Sequence, residues 1–254
     1  MGRLKRRSVL KPLHIKILTI ILISGLGIIV YSNSFLCSFH FDDFPSIIDN
    51  LAIRNIHNLY GIWTVWPCRF ITFLSLALNY HFSHFNIIGY HIFNLGIHLA
   101  ASVLVWWLVS LTFLTPVMKK EQITRHGNLI ALFSGLIFIS HPLQTQAVTF
   151  IWQRAASMAT LFYLASLCLY IKSRLLDDNQ SNLAQRRIYY FSSLLSAILA
   201  MFCKEISITL PLIMALYEIS FFKIQKNINW KPLIPFIFTL LLIPLTLKLS
   251  VLIT

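Results

Sequence analysis

Charge is scarce in this chain. Only 11% of its 254 residues are Asp, Glu, Lys or Arg, against about 25% in an ordinary soluble domain. Acidic residues are the rarest, eight against 21 Lys and Arg. Glycine and proline are few, eight and nine, which excludes a collagen-like chain and leaves no low-complexity tract. The sequence carries no internal repeat of the helical-repeat type. The four cysteines, Cys37, Cys68, Cys168 and Cys203, form neither a C-x-x-C pair nor a zinc-like spacing. Cys168 and Cys203 lie in or beside apolar runs and read as core residues. Cys37 and Cys68 share one loop, where a disulfide is left open.

What is abundant is apolar. Hydrophobic residues make up 57% of the chain, with 20 Phe, nine Tyr and six Trp. So much hydrocarbon with so little charge excludes a typical cytosolic globule and a disordered tail, and points to a protein built in lipid. The net charge of +13 would suggest nucleic acid in a soluble protein. Here it tags cytoplasmic loops, and no nucleic-acid partner is expected.

A helix crosses a bilayer with about 20 mostly apolar residues. Leu13–Tyr31 is the first such run. Basic residues precede or enter it and no small-x-small cleavage site follows, so it reads as a signal anchor. Ile88–Leu114 is the second. Residues 127–172 are too long for one span and break at His141-Pro142, giving spans at 128–143 and 154–171. Residues 188–222 break at Lys204-Glu205, giving 188–203 and 206–222. A seventh span covers 232–250. The expected fold is an all-α polytopic helix bundle forming a single membrane domain over 1–254.

Charge orients this bundle. With the N-terminus inside, sixteen Lys and Arg fall on inside segments and four, Arg54, Arg69, Arg154 and Lys204, on outside ones. The long loop at 32–87 is then external. It is rich in aromatics, and its Phe70–Leu78 segment is too short to span, which reads as an interfacial or re-entrant helix. The Asn179-Gln180-Ser181 sequon falls on the cytoplasmic side and carries no weight.

Polar groups near hydrocarbon are costly and are functional hypotheses by default. Three separate segments bring them to the external end: Asp42-Asp43; His141, Gln144, Gln146, Gln153 and Arg154; and Lys204-Glu205. Each has a bland reading as well. Paired aspartates cap turns, His-Pro ends helices, and Lys-Glu can be a local ion pair. His91 and His98 read as buried, hydrogen-bonded histidines, since a metal site needs more ligands at tighter spacing. A carboxylate can deprotonate a hydroxyl, while Arg and Lys can hold a phosphate and stabilise a departing one. Sugar transfer from a polyprenyl-phosphate carrier uses both. A transporter also uses intramembrane charges, but its sites sit near the midplane and not at one face.

The residues also carry a family resemblance. Phe41-Asp42-Asp43-Phe44-Pro45-Ser46-Ile47 with Asn50 resembles the first external loop of integral-membrane GT-C glycosyltransferases. More specifically, it is similar to bacterial relatives of the transmembrane and tetratricopeptide-repeat O-mannosyltransferases. Arg69-Phe70 with Ala77-Leu78-Asn79-Tyr80, then Gly89-Tyr90-His91 with Asn94 and His98, resemble further family stretches in order. So do His141-Pro142-Leu143-Gln144-Thr145-Gln146-Ala147-Val148 with Gln153-Arg154, and Cys203-Lys204-Glu205. The likeness covers about residues 35–215.

The resemblance implies a GT-C fold, a polyprenyl-phosphate sugar donor and an active site on the external face. Direct displacement at the anomeric carbon would invert it, and a protein or a glycolipid hydroxyl is left open as acceptor. It implies Asp42 or Asp43 as catalytic base and Arg69, Arg154 and Lys204 as phosphate contacts. His141, Gln146, Gln153 and Glu205 become pocket groups. Gln146 stands where many relatives have Glu, so proton transfer there is excluded but hydrogen bonding is not. A divalent cation is left open. Family members continue into further spans and a repeat region, so the chain reads as an N-terminal module. A missing C-terminal portion or partner subunit is then expected, and a non-catalytic scaffold or lipid-binding subunit is the alternative. The expected location is a bacterial inner membrane, with the N-terminus cytoplasmic and the active face periplasmic.

Overall fold

A computed structural model describes residues 12–176, 183–222 and 230–253. The sequon at Asn179 and the basic residues before Pro12 lie outside them. The described residues form an all-α bundle. Its helices are α1 (Pro12–Val30), α2 (Leu59–Val65), α3 (Phe70–Ser83), α4 (Ile87–Thr112) and α5 (Gly127–Ser140). They continue with α6 (Gln146–Thr149), α7 (Arg154–Leu175), α8 (Leu183–Met201), α9 (Leu210–Tyr217), α10 (Ile234–Thr239) and α11 (Leu242–Ile253).

Six helical segments are long and apolar enough to cross a membrane: Leu13–Val30, Ile87–Thr112, Gln122–Ser140, Ile151–Leu175, Glu205–Phe222 and Lys231–Lys248. Each coincides with an expected span. The expected span at 188–203 is helical as far as Met201, where it makes up most of α8. That helix carries Gln185, Arg186 and Arg187 near its start, which keep it below the apolarity of the others. It nevertheless packs along α7, where Ser166 and Ser193 exchange hydrogen bonds: each hydroxyl donates to the other residue's carbonyl, at 2.8 and 2.6 Å. The Phe70–Leu78 segment is longer than expected. It is the start of the 14-residue α3, and α2 and Pro67–Ser83 meet at a 110° bend. Such an element dips into a membrane and returns, or forms a broken span.

Proline sets most breaks. Pro142 follows α5, and His141 before it is extended (φ −68°, ψ 128°), as a residue preceding proline prefers. Pro235 and Pro244 sit in the first turns of α10 and α11. There a missing N–H costs nothing, so the last apolar stretch is two helices and not one. Small residues permit close crossings. A Cβ added at Gly27 of α1 would stand 2.5 Å from Leu99 of α4 and 2.8 Å from Ile139 of α5. One added at Gly135 of α5 would meet Ile23 of α1 at 2.7 Å.

Buried clusters follow this layout. Ile23, Tyr31, Leu95, Ile139 and Val148 join α1, α4 and α5. Leu167, Cys168, Tyr170, Met201, Met214 and Phe236 join α7 to α10. Ile47, Ile53, Ile62, Phe73, Leu76, Tyr90 and Ile151 form a separate core under the long first loop. Cys168 and Cys203 are fully buried, as expected for core thiols. Cys37 and Cys68 are free, and the Cys68 thiol lies 3.0 Å from the Thr246 hydroxyl.

Candidate functional site

The three polar segments meet at one end of the bundle, and Trp152 lies where they meet. Its backbone N–H donates to Asp43 Oδ1 at 2.8 Å. Its ring lies 5.7 Å from the Arg69 guanidinium and 5.4 Å from the Phe73 ring. Sequence reading did not single it out. An aromatic residue beside Gln153-Arg154 is one of six tryptophans in an aromatic-rich chain, and nothing local marks it.

The two aspartates face opposite ways. Phe41 just before them adopts a left-handed backbone (φ 48°), a conformation that costs a non-glycine residue about 1–3 kcal/mol. The turn is closed by the His40 N–H donating to Asp43 Oδ2 at 3.1 Å. Asp43 is fully buried and Asp42 is exposed. Burial pushes the Asp43 carboxyl above the usual carboxylate range, against the opposing pull of the His40 and Trp152 N–H groups. Asp43 therefore ties the first loop to the loop after α5, while Asp42 faces solvent.

Two more contacts fix the same seam. The His91 ring nitrogens lie 3.0 Å from the Val148 carbonyl and 2.9 Å from the Cys37 carbonyl. His40 stacks on Phe150 at 4.8 Å between ring centroids. His91 and His98 are thus the buried, bonded histidines expected; His98 lies 3.4 Å from the Tyr31 hydroxyl.

Arg69 and Glu205 join the first loop to the turn after α8. Arg69 Nε and Nη2 donate to the two carboxylate oxygens of Glu205, each at 3.1 Å. The guanidinium also lies 4.2 Å from the Trp66 ring, a cation–π arrangement. The start of α3 reinforces the join: the Ile71 N–H donates to the Phe202 carbonyl, and the Thr72 hydroxyl to the Cys203 carbonyl at 3.0 Å. Lys204 is extended and half-buried in this turn. Burial, then the neighbouring Arg69 charge, depresses its ammonium pKa, and Glu205 partly offsets this.

Arg154 departs from its expected role. It is fully buried, donating to Asn94 Oδ1 at 2.7 Å and to the Ser75 and Tyr90 carbonyls at 3.3 and 3.1 Å. Its guanidinium lies 4.5 Å from the Phe93 ring. A cation so enclosed is a clamp between α3, α4 and α7, not a phosphate contact at an open face. His141 stands in the break between α5 and α6. It is exposed and caps the start of the Pro142–Gln144 turn, its Nδ1 accepting from the Leu143 N–H at 3.2 Å.

Gln144, Gln146 and Gln153 do come together. They line a cavity of about 180 Å³ with His98, Ser157 and Thr160. No Asp, Glu, Lys or Arg lines it, so it offers hydrogen bonds without formal charge. Thr160 also borders a second, more apolar cavity of about 350 Å³, walled by Tyr163, Leu164 and the 206–209 turn. In that wall the buried Ser207 hydroxyl has no hydrogen-bond partner among the described residues. Nor do any three His, Cys, Asp or Glu residues among them stand together as metal ligands. Asp43 is fully buried with each oxygen accepting a backbone N–H, while Asp42 faces solvent, so the two carboxylates do not present themselves together to one cation.

No family model and no solved structure matches the chain. Curated relatives do. The chain is 26% identical over 230 residues to the human protein O-mannosyl-transferase TMTC4, covering 84% of this chain and 30% of the relative. It is 28% identical over 225 residues to human TMTC3, covering 81% and 22%. It is 27% identical over 243 residues to human TMTC2, covering 91% and 27%. The chain therefore spans less than a third of each relative's length, and over that stretch it is similar to protein O-mannosyl-transferases.

Proposed function

We propose that this chain is the donor-handling module of a GT-C glycosyltransferase. It would move mannose from a polyprenyl-phosphate carrier to a protein hydroxyl at the external face. The observation that carries this reading is the seam at Trp152. There an exposed carboxylate, a half-buried lysine and an uncharged amide-lined cavity are held by three chain segments.

In this mechanism Asp42 is the base. It takes the proton of the acceptor hydroxyl, whose oxygen bonds to the anomeric carbon from the side opposite the phosphate. The bond from that carbon to the phosphate oxygen breaks, and its electron pair leaves with the phosphate. The anomeric configuration inverts. Lys204, beside the Arg69–Glu205 pair, meets the charge that builds on the departing phosphate. Gln146 and Gln153 hold sugar hydroxyls through their amides. Asp43 and Arg154 position the two loops. The N-terminus is cytoplasmic and the site external, which in a bacterial inner membrane is the periplasm.

The test uses membranes carrying the chain, a polyprenyl-phosphate mannose donor and a serine- and threonine-rich peptide. Asp42→Asn is expected to lower release of free polyprenyl phosphate by about 10²–10⁴-fold with expression unchanged. Unchanged release would remove Asp42 as the base. A parent chain that neither binds nor turns over the donor would overturn the module itself.

A further inference from the structure

The opposite end of the bundle holds a cavity that the transfer chemistry does not use. It lies where α1 and α5 begin and α4 and α7 end, far in sequence from each loop of the candidate site. Its volume is about 600 Å³, within the ~300–1,000 Å³ of clefts that take small ligands. Half of its lining residues are aliphatic, and the Trp106 and Trp107 rings add to the apolar wall. Tryptophan favours the headgroup level of a bilayer. Two cations line it, Lys16 from α1 and Lys172 from α7, while the lining contains no Asp or Glu. Neither lysine is in a salt bridge among the described residues. Ser110 and Asn128 add neutral polar groups.

A hollow of this kind facing lipid does not stay empty. The wall from Val103 to Leu111 rises about 12 Å along α4, room for a stretch of acyl chain. Two lysines from different helices supply the charge complementary to a phosphate at its level. We propose that this cavity is a binding site for one anionic phospholipid, with an acyl chain in the cavity and the headgroup phosphate on Lys16 and Lys172. The pattern is that of basic pockets between membrane helices that hold anionic headgroups. The site would pin α1 to α4, α5 and α7, and it stands independently of the transferase reading.

The experiment is native mass spectrometry of the chain released from nanodiscs of equal phosphatidylglycerol and phosphatidylcholine. The expected result is one retained phosphatidylglycerol per chain. The Lys16→Gln/Lys172→Gln variant should retain at least ten-fold less, and Lys16→Arg/Lys172→Arg should retain it as the parent does. Arg187→Gln is the control, because Arg187 lines a separate basic hollow of about 420 Å³ at this end. It should leave retention unchanged. Ser110→Phe, which fills the cavity without touching charge, should also lose the lipid. Equal retention of both lipids, retention by the double glutamine variant, or equal loss in Arg187→Gln would overturn the site. So would displacement of the lipid by millimolar inorganic phosphate.

Discussion

Two arginine–glutamate pairs stand in different parts of this molecule, and they are built differently. Arg174 of α7 donates through Nε to Glu218 Oε1 at 2.6 Å, and Glu218 also accepts from the Tyr170 hydroxyl at 2.7 Å. Glu218 is only 2% exposed. Arg69 and Glu205 form an open fork whose side chains are 16% and 27% exposed, under a tryptophan ring and beside Lys204. The first pair satisfies a buried carboxylate between helices. The second holds two loops at a face that a ligand can reach. The arginines are similarly covered, so the difference lies in the carboxylates: low dielectric makes the pair at buried Glu218 costly to break, whereas solvent partly screens the one at Glu205. Two ion pairs of the same chemistry in one bundle thus differ through exposure and neighbours, and only the second is open to a role beyond packing.

The largest effect that would break this contrast is catalytic. Asp42→Asn is expected to abolish transfer while Asp43→Asn keeps a measurable part of it, since an amide oxygen can still accept the Trp152 N–H. Equal loss in both, read by donor turnover, would mean that exposure does not separate the two roles.

Next comes stability. Glu218→Ala removes the acceptor of both Arg174 and Tyr170, and should destabilise the bundle by about 3–5 kcal/mol. Glu205→Ala should cost about 1 kcal/mol or less but weaken donor binding. Thermal unfolding in detergent compares the two. Similar losses would erase the distinction between enclosed and open pairs.

The Asp43 carboxyl sharpens the same point by pH. Its folded pKa is raised above the ordinary value of 3.8, so the fold favours the protonated form. That contribution is complete below about pH 3.8 and is lost as pH rises through the folded value. Asp43→Asn should therefore match the parent near pH 4 and be at least as stable at pH 7. A variant that loses stability with rising pH relative to the parent would reverse the sign. The smallest effect belongs to Lys204, whose depressed pKa means that its charge is held at a cost. Lys204→Met should raise stability by about 1 kcal/mol at most and lower donor affinity. Unchanged affinity, by titration with donor, would remove Lys204 from the phosphate contact.

Much of the fold was legible because its signals are local. Apolar run length placed α1, α4, α5 and α7, and the breaks at His141-Pro142 and Lys204-Glu205 lie where residues 127–222 were expected to fold back. The last stretch is a span as expected, Lys231–Lys248 being long and apolar enough to cross. Its division into α10 and α11 was not legible, because Pro235 and Pro244 can end, kink or start a helix and here stand at helix starts. Of the site, the grouping of three polar segments was legible, and so was the buried state of His91 and His98. The separation of Asp42 from Asp43 was not, because it depends on a left-handed Phe41 and on an N–H from residue 152. Arg154 could not be told from a phosphate contact by sequence, since its acceptors belong to residues 75, 90 and 94.

The sequence by itself determined that this is a helical membrane bundle with the polar groups of three segments gathered at one end. Hydrocarbon length, proline and basic asymmetry act within a few residues of one another, and lipid enforces them directly. Only the tertiary structure decided which of those groups face outward and which are spent holding the bundle together. Burial and hydrogen-bond partners come from segments tens of residues apart, and they alone separate Asp42 and Lys204 from Asp43 and Arg154.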